Sequence, residues 1–135
     1  MKKIKVSEAT GPVLDWMVAK AVGIKCSIMT QRDFEQQPYV PRKWVQIWDQ
    51  EVVDYVSYEP SIDWSQGGPI IEREIYQLLR CQSGSRGPVY WEAARGFEDD
   101  ADHVVMFGPT LLTAAMRCFV ASRLGDEVEV PEELA

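Results

Sequence analysis

The chain has 135 residues, of which 46% are hydrophobic, and its net charge is −7. This length predicts a single domain over residues 1–135 that buries a core of its own. The acidic balance argues against non-specific nucleic-acid binding, which needs lysine and arginine against phosphates, and no apolar run approaches the roughly 20 residues of a membrane span.

Three cysteines, Cys26, Cys81 and Cys118, are widely spaced and form no CxxC pair. Cys81 and Cys118 fall in predicted helices, where cysteine is usually a small buried apolar residue. The pattern predicts a reduced, cytoplasmic protein.

The first thirty residues contain one clear helix. Ile4 and Val6 alternate with lysines, which indicates a short strand or an extended arm. Apolar residues then follow at helical spacing, with Pro12 in the first turn and Gly23 just past the end. This pattern predicts a helix over residues 11–22.

The next region is the least regular. Ile24–Thr30 is compatible with a strand, and the polar, proline-containing Gln31–Arg42 predicts a loop. Trp44–Trp48 and Val52–Tyr58 have the β-branched and aromatic content of two strands. A short helix over Trp44–Tyr55 is the alternative.

A run of turn-forming residues then precedes an amphipathic stretch. Gly67 and Gly68 permit positive φ, and Pro69 suits the first position of a helix. Ile71, Ile75 and Leu78 recur at helical spacing. We therefore expect a rigid polar loop up to Gly68 and a helix over residues 69–81.

Two strands are predicted after a flexible connection at Cys81–Gly87. Val89–Arg95 and His103–Phe107 are rich in strand-forming residues. They are expected to pair through a hairpin loop over Gly96–Asp102, which is acidic at its tip.

The most regular helical pattern lies near the end of the chain. Apolar residues at helical spacing predict a helix over residues 110–124, capped by Thr110 and ended by Gly125. A polar, acidic tail begins at about residue 126, and Val128–Val130 is compatible with a short strand within it.

Helices that alternate with strands, together with a hairpin, indicate an α+β fold. We expect a compact single-domain α/β sandwich in which about three helices pack on a mostly antiparallel or mixed sheet.

No catalytic constellation stands out in the sequence. The single histidine, His103, follows Asp99, Asp100 and Asp102, but this spacing matches no known metal loop, and a solvated hairpin tip is favoured. With one histidine few nucleophilic arrangements exist; Cys81 with His103 is one of them, and nothing local supports it. The sequence thus predicts no metal and no cofactor, and it favours a protein that is not an enzyme.

The best candidate for a ligand- or partner-binding site is the turn-forming run itself, because a tryptophan on a rigid loop can anchor a partner. The run lacks the Lys-Ser/Thr of a P-loop, and Glu72 and Glu74 follow it closely. The candidate residues are Tyr58, Ser61, Asp63, Trp64, Ser65, Gln66, Gly67 and Gly68.

Three blocks of residues carry a family resemblance. They are Ser7-Glu8-x-Thr10-Gly11-x-x-Leu14-Asp15-Trp16, then Tyr58-x-Pro60-Ser61-x-Asp63-Trp64-x-Gln66-Gly67-Gly68-Pro69-Ile70-Ile71-Glu72, and finally Gly108-Pro109-Thr110 through Ala114-Ala115-Met116-Arg117-Cys118 to Gly125-Asp126-Glu127-Val128. With them the sequence resembles the NinX-like family of small phage and prophage proteins of unknown function. The family pattern is similar to phage ABA sandwich domains, which implies an α/β sandwich. It supplies no catalytic residues to transfer.

The resemblance and the residues together predict a non-enzymatic phage accessory protein in the cytoplasm of a bacterial host. We expect it to bind a host or phage protein, or to self-associate as a homo-oligomer. The alternative is a small-ligand or nucleotide-binding protein, with enzyme activity included, that uses the Asp63–Gly68 loop.

Overall fold

The computed structural model of the chain describes residues 1–31, 42–96, 99 and 101–135. These residues form three α-helices and eight β-strands, which confirms the predicted α+β class. The helices are α1 (Gly11–Val22), α2 (Trp64–Glu74) and α3 (Leu111–Leu124). The strands are β1 (Lys2–Lys5), β2 (Cys26–Gln31), β3 (Arg42–Asp49), β4 (Asp54–Ser57), β5 (Gln77–Gln82), β6 (Val89–Arg95), β7 (Val104–Gly108) and β8 (Glu127–Val130).

The strands form three small antiparallel sheets rather than one large sheet. Strands β1 and β8 make a two-stranded pair, and the other two sheets have the orders β2-β3-β4 and β5-β6-β7. Within each three-stranded sheet, consecutive strands are neighbours. Short sheets of this kind depend on helices to cover one face, because a few strands alone bury too little apolar area.

Helix α3 is the centre of the core. Ten consecutive residues, Leu112–Ala121, are buried, so this part of the helix is enclosed on all sides. It packs against α1, α2, β6 and β7. Close approach is possible because β7 ends in Gly108, where an added Cβ would lie 2.6 Å from the backbone nitrogen of Ala114.

Helix α1 has the predicted bounds. Its C-terminus is closed by Gly23, which has a φ of 89° and donates its N–H to the carbonyls of Ala19 and Lys20. This is the left-handed cap that glycine adopts most readily. Residues 14–19 are all buried, and they include the charged Asp15.

Helix α2 differs from the prediction at both ends. It begins at Trp64, because the Asp63 side chain caps the backbone N–H of Ser65, so Pro69 lies inside the helix and not at its first position. The glycines Gly67 and Gly68 are likewise helical, and the polar loop is shorter than expected. The Asp63 cap therefore outweighed the turn preference of the Gly67-Gly68-Pro69 run, and the helix begins before that run.

The predicted position of the C-terminal end of α2 was also wrong. The helix ends at Glu74, whose carboxylate pairs with Arg95 at 3.0 Å and with Arg123 at 2.7 Å. From Tyr76, whose N–H donates to the Ala94 carbonyl, the chain pairs with β6 as strand β5. The helical spacing of Ile75 and Leu78 therefore reflects partial burial in an extended segment.

Most of the predicted strands are confirmed. Strands β3 and β4 replace the alternative short helix, and β6 has the predicted bounds. The predicted connection at Cys81–Gly87 begins instead with strand residues, so Cys81 lies in a strand and not in a helix. The predicted Gln31–Arg42 loop lies outside the described residues except for its end residues, and the loop before β7 is described only in part.

The acidic C-terminal segment contributes a strand that the core needs. Strand β8 pairs with β1, and Val130 is completely buried. The register places Lys3 opposite Glu129 and Lys5 opposite Glu127. The basic start and the acidic end of the chain are therefore complementary across one ladder. No helix in the described part of the chain has the length and apolar character that crossing a membrane requires.

We expect the combined substitution Lys3→Glu and Lys5→Glu to lower the free energy of unfolding by about 1 kcal/mol, because it places like charges opposite each other across the ladder. Adding Glu127→Lys and Glu129→Lys restores opposite charges and should recover most of the loss. Urea denaturation of the three proteins measures this, and a quadruple variant no more stable than the double variant would contradict the pairing.

Candidate functional site

The predicted site residues lie in the connection from β4 to α2 and in the first five residues of α2. Tyr58 begins the connection and is anchored by its N–H, which donates to the Val45 carbonyl at 2.8 Å. Its side chain is 5% exposed and belongs to the core. Burial, followed by the nearby charge of Asp15, raises the pKa of Tyr58 to about 12, so the phenol stays protonated at neutral pH.

A buried carboxylate ties this connection to α1. The Asp15 Oδ1 atom accepts the backbone N–H of Ser61 at 2.9 Å, and the two residues are 3% and 2% exposed. Burial raises the pKa of Asp15 to about 6, although the Ser61 backbone and hydroxyl oppose the rise and the charge of Glu59 adds to it. Among the described residues, the Ser61 hydroxyl oxygen is the one buried side-chain oxygen or nitrogen without a well-formed hydrogen bond.

Asp63 accepts hydrogen bonds from the residues at the start of α2. Its Oδ1 accepts the N–H of Ser65 at 2.9 Å and the Ser65 hydroxyl at 2.7 Å. Its backbone carbonyl accepts from Gln66 and Gly67 at 3.1 and 2.8 Å. A carboxylate already occupies the position where an anion would bind a helix N-terminus, so this turn does not form a phosphate cradle.

Gln66 closes the turn with both ends of its amide. Its Oε1 accepts the N–H of Glu59 at 2.6 Å, and its Nε2 donates to the Ser57 carbonyl at 2.8 Å. The side chain thus replaces backbone pairing where β4 ends. Its role in the structure is to hold the turn.

The two glycines differ sharply in their surroundings. A Cβ on Gly67 would lie 2.5 Å from the Pro60 carbonyl oxygen and 2.7 Å from a Leu112 methyl carbon. A Cβ on Gly68 would meet nothing closer than a Trp64 ring carbon at 4.0 Å. Gly67 is therefore required for α2 to approach both the turn and α3.

Trp64 is the candidate residue with a large apolar side chain left facing solvent. It is 57% exposed, and Ile62, which the sequence interpretation did not select, is 68% exposed. The two line a groove of about 240 Å³ with residues that start α3. Its lining residues are Ser61, Ile62, Trp64, Thr110, Leu111 and Leu112. The signal that could have identified Ile62 is an isoleucine isolated within a polar turn.

The arrangements considered for chemistry are not brought together. Cys81 pairs with Tyr90 on β6, whereas His103 directly precedes Val104, which pairs with Arg95. Five residues of strand separate these positions, or roughly 16 Å. Within residues 1–31, 42–96, 99 and 101–135, no group of three or more histidine, cysteine and acidic side chains is placed to hold a metal ion, and Asp100 lies outside those residues.

The described residues thus define a small α+β protein with a rigid, aromatic-bearing turn between β4 and α2. The family model described as "Bacteriophage P22, NinX" matches residues 5–123, which is most of the chain. The chain therefore belongs to the NinX family of phage proteins, as its sequence blocks predicted. A comparison with curated proteins found no match.

The two glycines supply a matched pair of substitutions. Gly67→Ala should lower the free energy of unfolding by about 1–3 kcal/mol, because its methyl group overlaps Pro60 and Leu112. Gly68→Ala should leave stability unchanged or raise it by about 0.5–1 kcal/mol, because alanine costs less entropy in a helix. Thermal and urea denaturation compare the two, and equal effects would refute the close approach at Gly67.

Asp15 predicts a specific pH dependence. Its pKa is about 6 when folded and 3.8 in the unfolded reference, so the folded state binds more protons between these values and stability falls as pH rises through them. Asp15→Asn keeps an oxygen acceptor for Ser61 without a charge. The free energy of unfolding of the Asp15→Asn variant, minus that of wild type, should therefore increase by about 3 kcal/mol between pH 3.5 and pH 7.

Urea denaturation at intervals across this range measures the difference, in which the other acids cancel. A difference that does not change with pH would show that Asp15 titrates normally. Asp15→Ala is the control, because it leaves the Ser61 N–H without an acceptor and should be destabilising at every pH.

Proposed function

We propose that this phage accessory protein acts by binding another protein through the Ile62–Trp64 surface, meaning these two side chains and the groove they line beside Thr110, Leu111 and Leu112. The observation that carries the proposal is the contrast within one turn. Every neighbour of the pair from Tyr58 to Gly67 is buried or hydrogen-bonded, whereas Ile62 and Trp64 are 68% and 57% exposed.

Rigidity supports a binding role for the pair. The turn is held at Ser61 by Asp15, at its start by Gln66 and at its end by the Asp63 cap. Side chains on a backbone that is already ordered lose less entropy on association. Tryptophan is also among the residues most enriched where binding energy concentrates.

The exposed area supports the same conclusion. Single exposed apolar residues are common and need no explanation, but adjacent ones that line a groove mark an interaction surface. At about 240 Å³ the groove is smaller than most small-molecule pockets. It suits one inserted side chain of a protein partner better than a complete ligand.

The alternative, a small-ligand or nucleotide site at Asp63–Gly68, has less support. The first-turn N–H groups already donate to Asp63, whose carboxylate would repel a phosphate. Asp15 and Tyr58 are 3% and 5% exposed, so they do not meet a substrate as acid or base. A non-enzymatic role in the cytoplasm of the bacterial host fits these features.

The test is affinity capture from lysate of phage-infected bacteria with tagged wild type, Trp64→Ala and Ile62→Ser. We expect a host or phage protein to be recovered by wild type and lost with both variants. With the purified partner, calorimetry should then show that Trp64→Ala raises the dissociation constant by about 30-fold, as expected of a central anchor.

Trp48→Ala is the matched control. Trp48 is 48% exposed on β3, and its ring meets Tyr55 edge-on at 5.1 Å, away from the groove. This variant should retain the partner. Full recovery by Trp64→Ala, or equal loss with Trp48→Ala, would overturn the assignment. If the captured protein is a second copy of the chain, sedimentation of wild type and Trp64→Ala should show different oligomeric states.

A further inference from the structure

A second and larger groove lies on another part of the surface. Its volume is about 500 Å³, and it opens where the end of β7 and the start of β6 meet the short 3-10 turn Val6–Glu8. The lining residues are Ser7, Pro88, Val89, Tyr90, Met106, Phe107, Gly108, Pro109 and Arg117. Nearly all of this lining is apolar, and Arg117 is its one charged residue.

Arg117 is an unusual residue to find in such a wall. It lies in the buried run of α3 and is 8% exposed. Its Nε donates to the Ala9 carbonyl at 2.9 Å, and its Nη1 donates to the Phe107 carbonyl at 2.8 Å. These bonds fix the guanidinium in place, and within the part of the chain that the structure describes Nη2 donates to no acceptor.

The Nη2 end of this guanidinium is not completely enclosed. Among the described residues Nη2 has no hydrogen-bond partner, and it is not one of their fully enclosed unpaired atoms, so part of its surface is accessible. Arg117 itself lines the groove. An arginine N–H such as those on Nη2 makes a strong, charge-assisted hydrogen bond to a carboxylate oxygen.

The charge of Arg117 is also unbalanced. The ion pairs among the described residues join Met1 to Glu132, Arg42 to Glu59, and Arg95 and Arg123 to Glu74, and none includes Arg117. Burial alone lowers the pKa of its guanidinium. A buried charge without a counter-ion is costly, and an anion that enters the groove would relieve that cost.

We propose that this groove binds a small organic monocarboxylate, with the carboxylate on the free end of Arg117 and an apolar body against Tyr90 and Phe107. The two rings are 6.0 Å apart and tilted by 60°, and Phe107 is 51% exposed. The groove volume falls within the range of roughly 300–1,000 Å³ that is typical of small-ligand sites.

A monocarboxylate fits better than a phosphate ester. A phosphate carries nearly two charges at neutral pH, and the groove offers one arginine and no lysine or histidine. Its apolar walls give further oxygens little to bind. This site is separate from the Ile62–Trp64 surface, so neither proposal depends on the other.

The test uses benzoate and hexanoate as probes, with benzamide as the uncharged analogue and phenyl phosphate as the dianion. Titration into ¹⁵N-labelled protein should give saturable shifts at Phe107 and Gly108 with the two carboxylates and none with benzamide. Equal binding of benzamide, no saturable binding of either carboxylate, or tighter binding of phenyl phosphate than of benzoate would overturn the proposal.

Substitutions at Val89 test the role of charge without touching the buried arginine. Val89 lines the groove and is 36% exposed. Val89→Asp supplies a competing carboxylate and should weaken benzoate binding at least tenfold, whereas Val89→Lys should tighten it. Equal affinity in the two variants would show that the groove does not select for negative charge.

Arg117→Met tests the anchor directly and should abolish benzoate binding. Circular dichroism establishes whether this variant is folded, and if it is not, the Val89 pair decides the outcome. Arg80→Met is the matched control, because Arg80 is exposed on β5 and does not line the groove. Loss of benzoate binding in this control would show that the effect is not local to Arg117.

Discussion

The hydrogen bond between the Asp15 carboxylate and the Ser61 N–H joins the first helix to the turn on which the candidate site is built. A buried carboxylate is costly unless it is bonded, so the turn and α1 hold each other in one arrangement. From that fixed point Asp63 starts α2, and Gly67 lets α2 lie against α3. The position of the exposed side chains follows from this chain of contacts.

The molecule presents two different surfaces on either side of the segment that enters α3. On one side Ile62 and Trp64 stand beside Leu111, on a backbone that is ordered before any partner arrives. On the other side Arg117 reaches an apolar groove with part of its guanidinium unused. We propose a protein contact for the first surface and a small anion with an apolar body for the second.

The sequence predicted the elements whose signals are local. Helices α1 and α3 have apolar spacing, caps and glycine stops within a few residues of one another, and their positions were predicted to within one residue. Helix α2 was misplaced because the Gly-Gly-Pro run is an equally plausible start until Asp63 is known to cap. Its end was misplaced because pairing with β6, a non-local contact, decides where the extended segment begins.

By itself the sequence determined the family and the α+β class, and it selected the turn that carries the candidate site, because repeated spacing and motif order are properties of the chain alone. Only the tertiary structure decided which residues of that turn are free. Most of its polar side chains hold the turn together, while Ile62 and Trp64 remain outside. The tertiary structure also decided the hydrogen-bond partners of Asp15 and Arg117. Each is a charged residue in an apolar helix, and its partners come from distant segments of the chain that meet only in the folded protein.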